Sequence, residues 1–352
     1  MTERREPSRK SKFETGRALK RLITRGSAPG CTHVWPLWRS LEGMIFMKRI
    51  ELAALMASWA FLLAPQAFAQ STGQGRAVVT VLGKHSEVAP TIVQQDVTAK
   101  VNGKDVTVTG WAPFKAPNDG LELVVLIDSG ARNMGRQFEE IGHFVESLGP
   151  NTKVAIGYMQ NGYVAMAAPL TADHKQAVSE LHLPAGPSTN PYFCLSSLAQ
   201  KWPSQDHTVR HEVLMFSDGV DPENRRFDPD DPYVQSAIRD SARAGMVVYT
   251  IYWRSSPAGD SSALTQDGGQ SLMNELSDAT GGYNYWTGSG NPVSFQPYFD
   301  DLLRRFDNQY ALDFTARLDR KPAVESVKIK VEGIGLQVTA PQQVYVHPAG
   351  PE

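Results

Sequence analysis

The stretch Leu121-Glu122-Leu123-Val124-Val125-Leu126-Ile127-Asp128-Ser129-Gly130 is an apolar run that stops on an aspartate at a turn. Glu212-Val213-Leu214-Met215-Phe216-Ser217-Asp218-Gly219 repeats the shape. Runs without polar alternation are what strands covered on both faces look like, so both are expected in the centre of a parallel sheet. Ligands of such sheets bind outside the carboxyl ends of the strands, which places Asp128 and Asp218 on one rim. Two converging carboxylates there suggest a cation site.

A third element strengthens the pattern. Thr189 precedes a helix expected over Tyr192 to Lys201, and its hydroxyl is a ligand that a hard cation accepts beside carboxylates. An aspartate after a first strand, a threonine before a helix and Asp-Gly after a later strand, in this order, resemble the von Willebrand factor type A domain and its metal-dependent adhesion site. The resemblance covers about Leu121 to Asp307. With the export signal and β-rich flanks, the whole chain resembles the exported acidobacterial proteins described as von Willebrand A-related. It implies a Rossmann-like α/β fold and adhesion or assembly through a cation, magnesium or calcium, held by Asp128, Ser129, Thr189 and Asp218. No other cofactor is expected.

The first family motif, Asp-x-Ser-x-Ser, is degenerate in this chain. Gly130 and Arg132 stand where its two serines belong; on an alignment shifted by one residue, Ser129 replaces the first but Ala131 the second. Arg132, at the start of the next helix, is expected to fold over the rim and pair with Asp128 or Asp218 in place of a cation. The bland alternative is that the aspartates cap local turns.

The composition, 41% hydrophobic over 352 residues, supports a substantial core, and the length suggests two domains plus processing segments. Residues 1–46 form a basic leader, disordered or not translated. Met47-Lys48-Arg49, the apolar Leu52 to Leu63 and Ala67-Phe68-Ala69 have the order of a signal peptide over 47–69, cleaved before Gln70; an uncleaved anchor is the alternative. Residues 70–352 hold 23 basic and 32 acidic residues, a net charge of −9, which argues against nucleic acid as a partner. Membrane contact is expected only through the export signal. Cys194 is the one cysteine beyond the leader, so no intrachain disulfide is expected and the thiol reads as a small buried hydrophobe.

Flanking the α/β region, residues 77–115 and 309–347 read as β structure, the first carrying an Asn102-Gly103 hairpin turn. They are expected to pair into one small β-sandwich opposite the aspartate rim, around a doubly wound, mostly parallel sheet spanning 121–307. The rim loops carry Asp221, Glu223, Trp253 and Trp286 beside Arg132, an acidic and aromatic ligand surface, although alternation along strands is expected to place half of the aromatics Trp253, Tyr283, Tyr285 and Trp286 in the core. Six acids between Asp218 and Asp231 lack the spacing of a helix-loop-helix calcium site. No nucleophile elbow, phosphate loop or zinc motif occurs, and the histidines are scattered, so an enzyme is not expected. The expected function is an exported, non-catalytic module binding a protein or cell-envelope ligand, with a structural scaffold lacking any rim ligand as the alternative.

Overall fold

In the computed structural model, the described residues are 71–84, 90–116, 119–187, 189–223, 227–228, 230–254, 263–285, 290–318 and 321–349. The leader, the signal segment and Trp286 lie outside them.

The chain starts with strands β1 (Ser71–Gly83), β2 (Val97–Val101) and β3 (Lys104–Pro113). The β2–β3 turn places Asn102 at φ 49° and Gly103 at φ 76°, the left-handed pair a two-residue hairpin requires. The α/β region follows: β4 (Leu121–Asp128), α1 (Arg136–Ser147), β5 (Thr152–Gln160), β6 (Tyr163–Thr171), α2 (His174–Ser179), α3 (Pro191–Gln200) and β7 (Arg210–Ser217). It continues with α4 (Pro232–Arg243), β8 (Met246–Tyr252), α5 (Ala263–Thr280), β9 (Asn284–Tyr285) and α6 (Gln296–Phe306). Strands β10 (Gln309–Leu318), β11 (Ala323–Val331), β12 (Leu336–Thr339) and β13 (Gln343–Pro348) close the chain.

The α/β sheet runs β6-β5-β4-β7-β8-β9 and is mixed: all neighbours are parallel except β6, antiparallel to β5. Every residue of β4 and β7 is buried, because helices cover both faces. Leu123, Val125 and Ile127 pack with Phe144 of α1, Ala177 of α2 and Phe299 of α6. Val124 and Leu126, on the opposite face, pack with Leu195 of α3, Ile238 of α4 and Met273 of α5. From β4 the chain winds one way to β5 and later restarts on the other side at β7, so the carboxyl ends of β4 and β7 flank the switch point.

The flanks do not form the expected sandwich. Strands β10, β3, β2, β11, β13 and β1 follow one another in the sheet, and β1 pairs back onto β10 from Ser71↔Leu318 to Thr80↔Gln309, closing an antiparallel barrel with β12 added along β1. Closure removes the strand edges that a two-layer arrangement leaves open. Gly75 permits it, because a Cβ there would stand 2.5 Å from the ring of its partner Phe314, which fills the barrel core with Val79, Val81 and Leu312.

A buried arginine joins the barrel to the amino-terminal edge of the sheet. Arg210, on β7, donates from Nη1 to the Phe306 carbonyl (2.9 Å) and to Gln309 Oε1 (2.5 Å), and from Nη2 to the Asp119 carbonyl (2.8 Å). Gln309 passes the contact to the Tyr249 hydroxyl at 2.9 Å. Glu212, two residues along β7, is fully buried, and among the described residues neither of its carboxylate oxygens has a hydrogen-bond partner. Burial pushes its pKa up to about 7 against the opposing charge of Arg210.

Candidate functional site

Strand β4 ends on Asp128, 2% exposed, and the chain turns at once into a 3-10 segment, Ser129–Asn133. Asp128 caps that turn by accepting from the Gly130 N–H at 2.9 Å through Oδ1, while Oδ2 accepts from the Ser217 hydroxyl at 2.7 Å. Ser217 also accepts from the Gly219 N–H at 3.1 Å. Asp218, half-buried, accepts from the Val220 N–H at 3.0 Å. The turn after it closes tightly: Gly219 has φ +69°, its carbonyl accepts from the Tyr192 hydroxyl at 2.9 Å, and a Cβ there would stand 2.4 Å from the Gly269 carbonyl. Burial and the neighbouring Asp218 charge raise the Asp128 pKa to about 7, against the two hydrogen bonds that favour its carboxylate.

The four sequence-predicted cation ligands occupy this rim in different ways. Asp128 and Asp218 are close enough to interact. The Ser129 hydroxyl donates to the Met159 carbonyl on β5, directing it into the sheet. Thr189 Oγ1 accepts from the Gly162 N–H at 2.9 Å, at the turn between β5 and β6. Asn190, rather than Thr189, caps α3 by accepting from the Phe193 N–H at 2.9 Å, and its amide donates to Asp221 Oδ2 at 2.6 Å. Cys194 is buried beside them with its pKa up to about 12, from burial and the Asp128 charge. Among the described residues, no group of three His, Cys, Asp or Glu is arranged to hold a metal.

The donor chemistry fits a cation shell poorly. Ser129, Ser217 and Thr189 all hold internal hydrogen bonds, and residues 130 and 131 carry no side-chain oxygen. Arg132 lies in the 3-10 segment, but its side chain is outside the described residues, so its expected pairing with Asp128 or Asp218 is too.

Trp253 corrects the expected aromatic rim. It is 3% exposed, its indole donates to Asn133 Oδ1 at 2.7 Å, and its ring packs edge-on against Phe295. The β8 backbone turns it into the core, and its N–H finds a partner there, as a buried indole requires. The exposed aromatics of the rim are instead Tyr163 (48%), Phe193 (48%) and Tyr233 (45%). Phe193 meets Tyr233 edge-on at 5.9 Å and covers the Gly162 turn, where a Cβ would stand 2.8 Å from its ring. Asp221 and Glu223 lie next to this ridge, and Asp231 caps α4 by accepting from the Tyr233 N–H at 2.8 Å.

Ser217 and the ridge were missed from the sequence. Ser217 had a signal, a hydroxyl immediately before Asp218 at a strand end. Phe193 and Tyr233 had one only in their place in the first turns of α3 and α4, where side chains face the rim.

No family model matches the chain, and no curated protein does. Solved structures similar to it include the pilus adhesin SpaC from Lactobacillus rhamnosus GG, 9% identical, with a TM-score of 0.40, over 72% of this chain and 48% of that one. An aerotolerance-related membrane protein from Bacteroides fragilis is 13% identical, with a TM-score of 0.39, over 53% of this chain and 99% of that one. The similar structures also include a von Willebrand factor domain, that of the type V pili tip protein Mfa5 from Porphyromonas gingivalis, 11% identical, with a TM-score of 0.35, over 54% of this chain and 93% of that one.

Proposed function

We propose that this chain is an exported, non-catalytic binding module that docks a protein partner on the carboxyl-end rim of its α/β sheet. The observation that carries the reading is the Tyr163, Phe193 and Tyr233 ridge, three large aromatic side chains left half-exposed beside Asp221 and Glu223 at the carboxyl end of the sheet. Exposed aromatics grouped at one place are the usual anchors of interfaces. Residues 218–231 carry six acids and two arginines, so the surround is acidic and favours a partner with basic groups at its contact. Export rests on the signal-like order of residues 47–69. The non-catalytic reading is supported by where the histidines sit: His211 lies at the amino-terminal end of β7, bonded to the Asp206 carbonyl and stacked on Trp202, and His174 binds the Thr152 carbonyl.

A rim that works without a cation is the form we favour. Magnesium or calcium at about 5 mM should then leave the unfolding midpoint within about 1 °C, since a cation bound well below that concentration would raise it by linkage. A clear rise would restore the metal-dependent adhesion site.

For the partner, the full chain and a Phe193→Ala/Tyr233→Ala variant are used as bait against the envelope proteins of the source cells. A protein held by the native chain should be lost with the double variant, whose unfolding midpoint should fall only slightly because both rings are half-exposed. Equal capture by the two baits would exclude the ridge as the docking surface.

A further inference from the structure

We propose that the groove along the outer edge of the six-stranded sheet binds a neutral saccharide. The groove, about 580 Å³, lies between α5 and the beginning of α6, with β9 as its floor. Among the described residues, strand β9 pairs on one side only, with β8.

Tyr283, 38% exposed, and the half-buried Tyr298 supply its aromatic surface, with the buried Tyr285 between them as support. Tyr285 stacks on Tyr298 with centroids 5.3 Å apart, and Tyr283 meets Tyr285 edge-on at 5.0 Å. The arrangement is braced: the Arg305 guanidinium sits 3.9 Å over the Tyr283 ring, and Asp301 accepts from both Arg305 Nε (2.7 Å) and the Tyr285 hydroxyl (2.9 Å). Rings held in place bind without losing rotamer entropy. The ring faces that Tyr283 and Tyr298 leave open attract the positively polarised C–H bonds on the face of a pyranose ring.

The polar groups complement hydroxyls. Asn284 uses its amide oxygen on the Thr250 hydroxyl at 2.8 Å, which orients the amide so that its nitrogen is the donor end. Asn274 uses its nitrogen on Asp278 at 3.0 Å, which makes its oxygen the acceptor end. Ser271 and Asp267, one and two helical steps before Asn274 on the same face of α5, add a hydroxyl and an acceptor. A saccharide hydroxyl donates and accepts at once, so donor and acceptor ends fixed in one groove suit it. No lysine, arginine or histidine is among the described residues lining the groove, and Asp267 repels anions, which selects neutral sugars over phosphorylated or uronic ones. Addition of a peptide strand is the competing use of a sheet edge, but β9 is two residues long and has little backbone to pair.

The test is calorimetric titration of the full chain with maltohexaose, cellohexaose, xylohexaose and mannohexaose in turn. At least one should bind with a Kd below about 1 mM, and Tyr298→Ala and Asn274→Ala should each weaken it by roughly tenfold or more. Asn274→Ala should keep the native unfolding midpoint, and Tyr298→Ala, which also loses the packing on Tyr285, should lower it while the chain remains folded at the titration temperature. The Phe193→Ala/Tyr233→Ala variant should bind the sugar normally, which separates this site from the rim. No heat from any of the four at about 10 mM, or binding indifferent to both groove variants, overturns the proposal. Perturbation of the groove by a threonine octapeptide without any response to the sugars would assign the edge to strand addition and overturn it equally.

Discussion

The unfolding midpoint should fall as the pH is raised from 5 to 8, by an amount on the order of 10 °C. Two buried carboxylates set the direction. Asp128 and Glu212 both have their pKa raised to about 7, from 3.8 and 4.5, and burial is the leading cause in each. Between about pH 4 and 7 the native state therefore holds protons that the unfolded chain has released. The resulting stability is fully present below the unfolded values, declines through this window and is gone once the pH passes the folded value.

Each shift corresponds to roughly 3 to 4 kcal/mol at most. The Asp128 step belongs to the Asp128 and Asp218 pair, since the second charge contributes to the first shift. Asp128→Asn keeps an acceptor for the Gly130 N–H, and Glu212→Gln introduces no charge beside Tyr249; both should flatten the profile and raise the midpoint at pH 8. A midpoint that is flat or rises between pH 5 and 8 in the native chain would show that these carboxylates are ionised in the folded state. Loss of the fall at the rim by adding a divalent cation would show that a cation, rather than a proton, neutralises the aspartates.

Arg210→Met should cost about 3 kcal/mol or more in chemical unfolding. The methionine retains the apolar stem, but the carbonyls of Asp119 and Phe306 and the side chain of Gln309 lose their shared donor. A buried acceptor left without a partner costs about 1 to 3 kcal/mol, and these groups lie at both crossings between sheet and barrel, Asp119 before β4 and Phe306 and Gln309 between α6 and β10. The same variant removes the positive charge that opposes the Glu212 shift, so the Glu212 part of the pH dependence should move to higher pH. A loss below about 1 kcal/mol would mean that water replaces the guanidinium and that the junction is held by packing alone.

Strands β4 and β7 were legible because a strand covered on both faces must be apolar throughout, and few other local structures produce Leu121 to Ile127 followed by an aspartate. The Asn102-Gly103 turn was legible for an equally local reason, the left-handed conformation that those two residues tolerate. Asp128 and Asp218 followed from strand direction alone. Trp253 was misplaced because period-two alternation says that neighbours face opposite ways without saying which side is covered; Phe295, which leads into α6, and Phe299 of that helix cover its side.

The sequence by itself determined the central strands, the two aspartates at their ends and the β character of both flanks, since each depends on residues close in the chain. Tertiary structure alone decided the rest. Barrel closure depends on pairing Ser71 through Thr80 with residues more than 200 positions away, a register that no local pattern encodes. The state of the rim was likewise a question of neighbours. Whether a hydroxyl faces a cation or a carbonyl is settled by which strand lies beside it, and for Ser129 that neighbour is Met159.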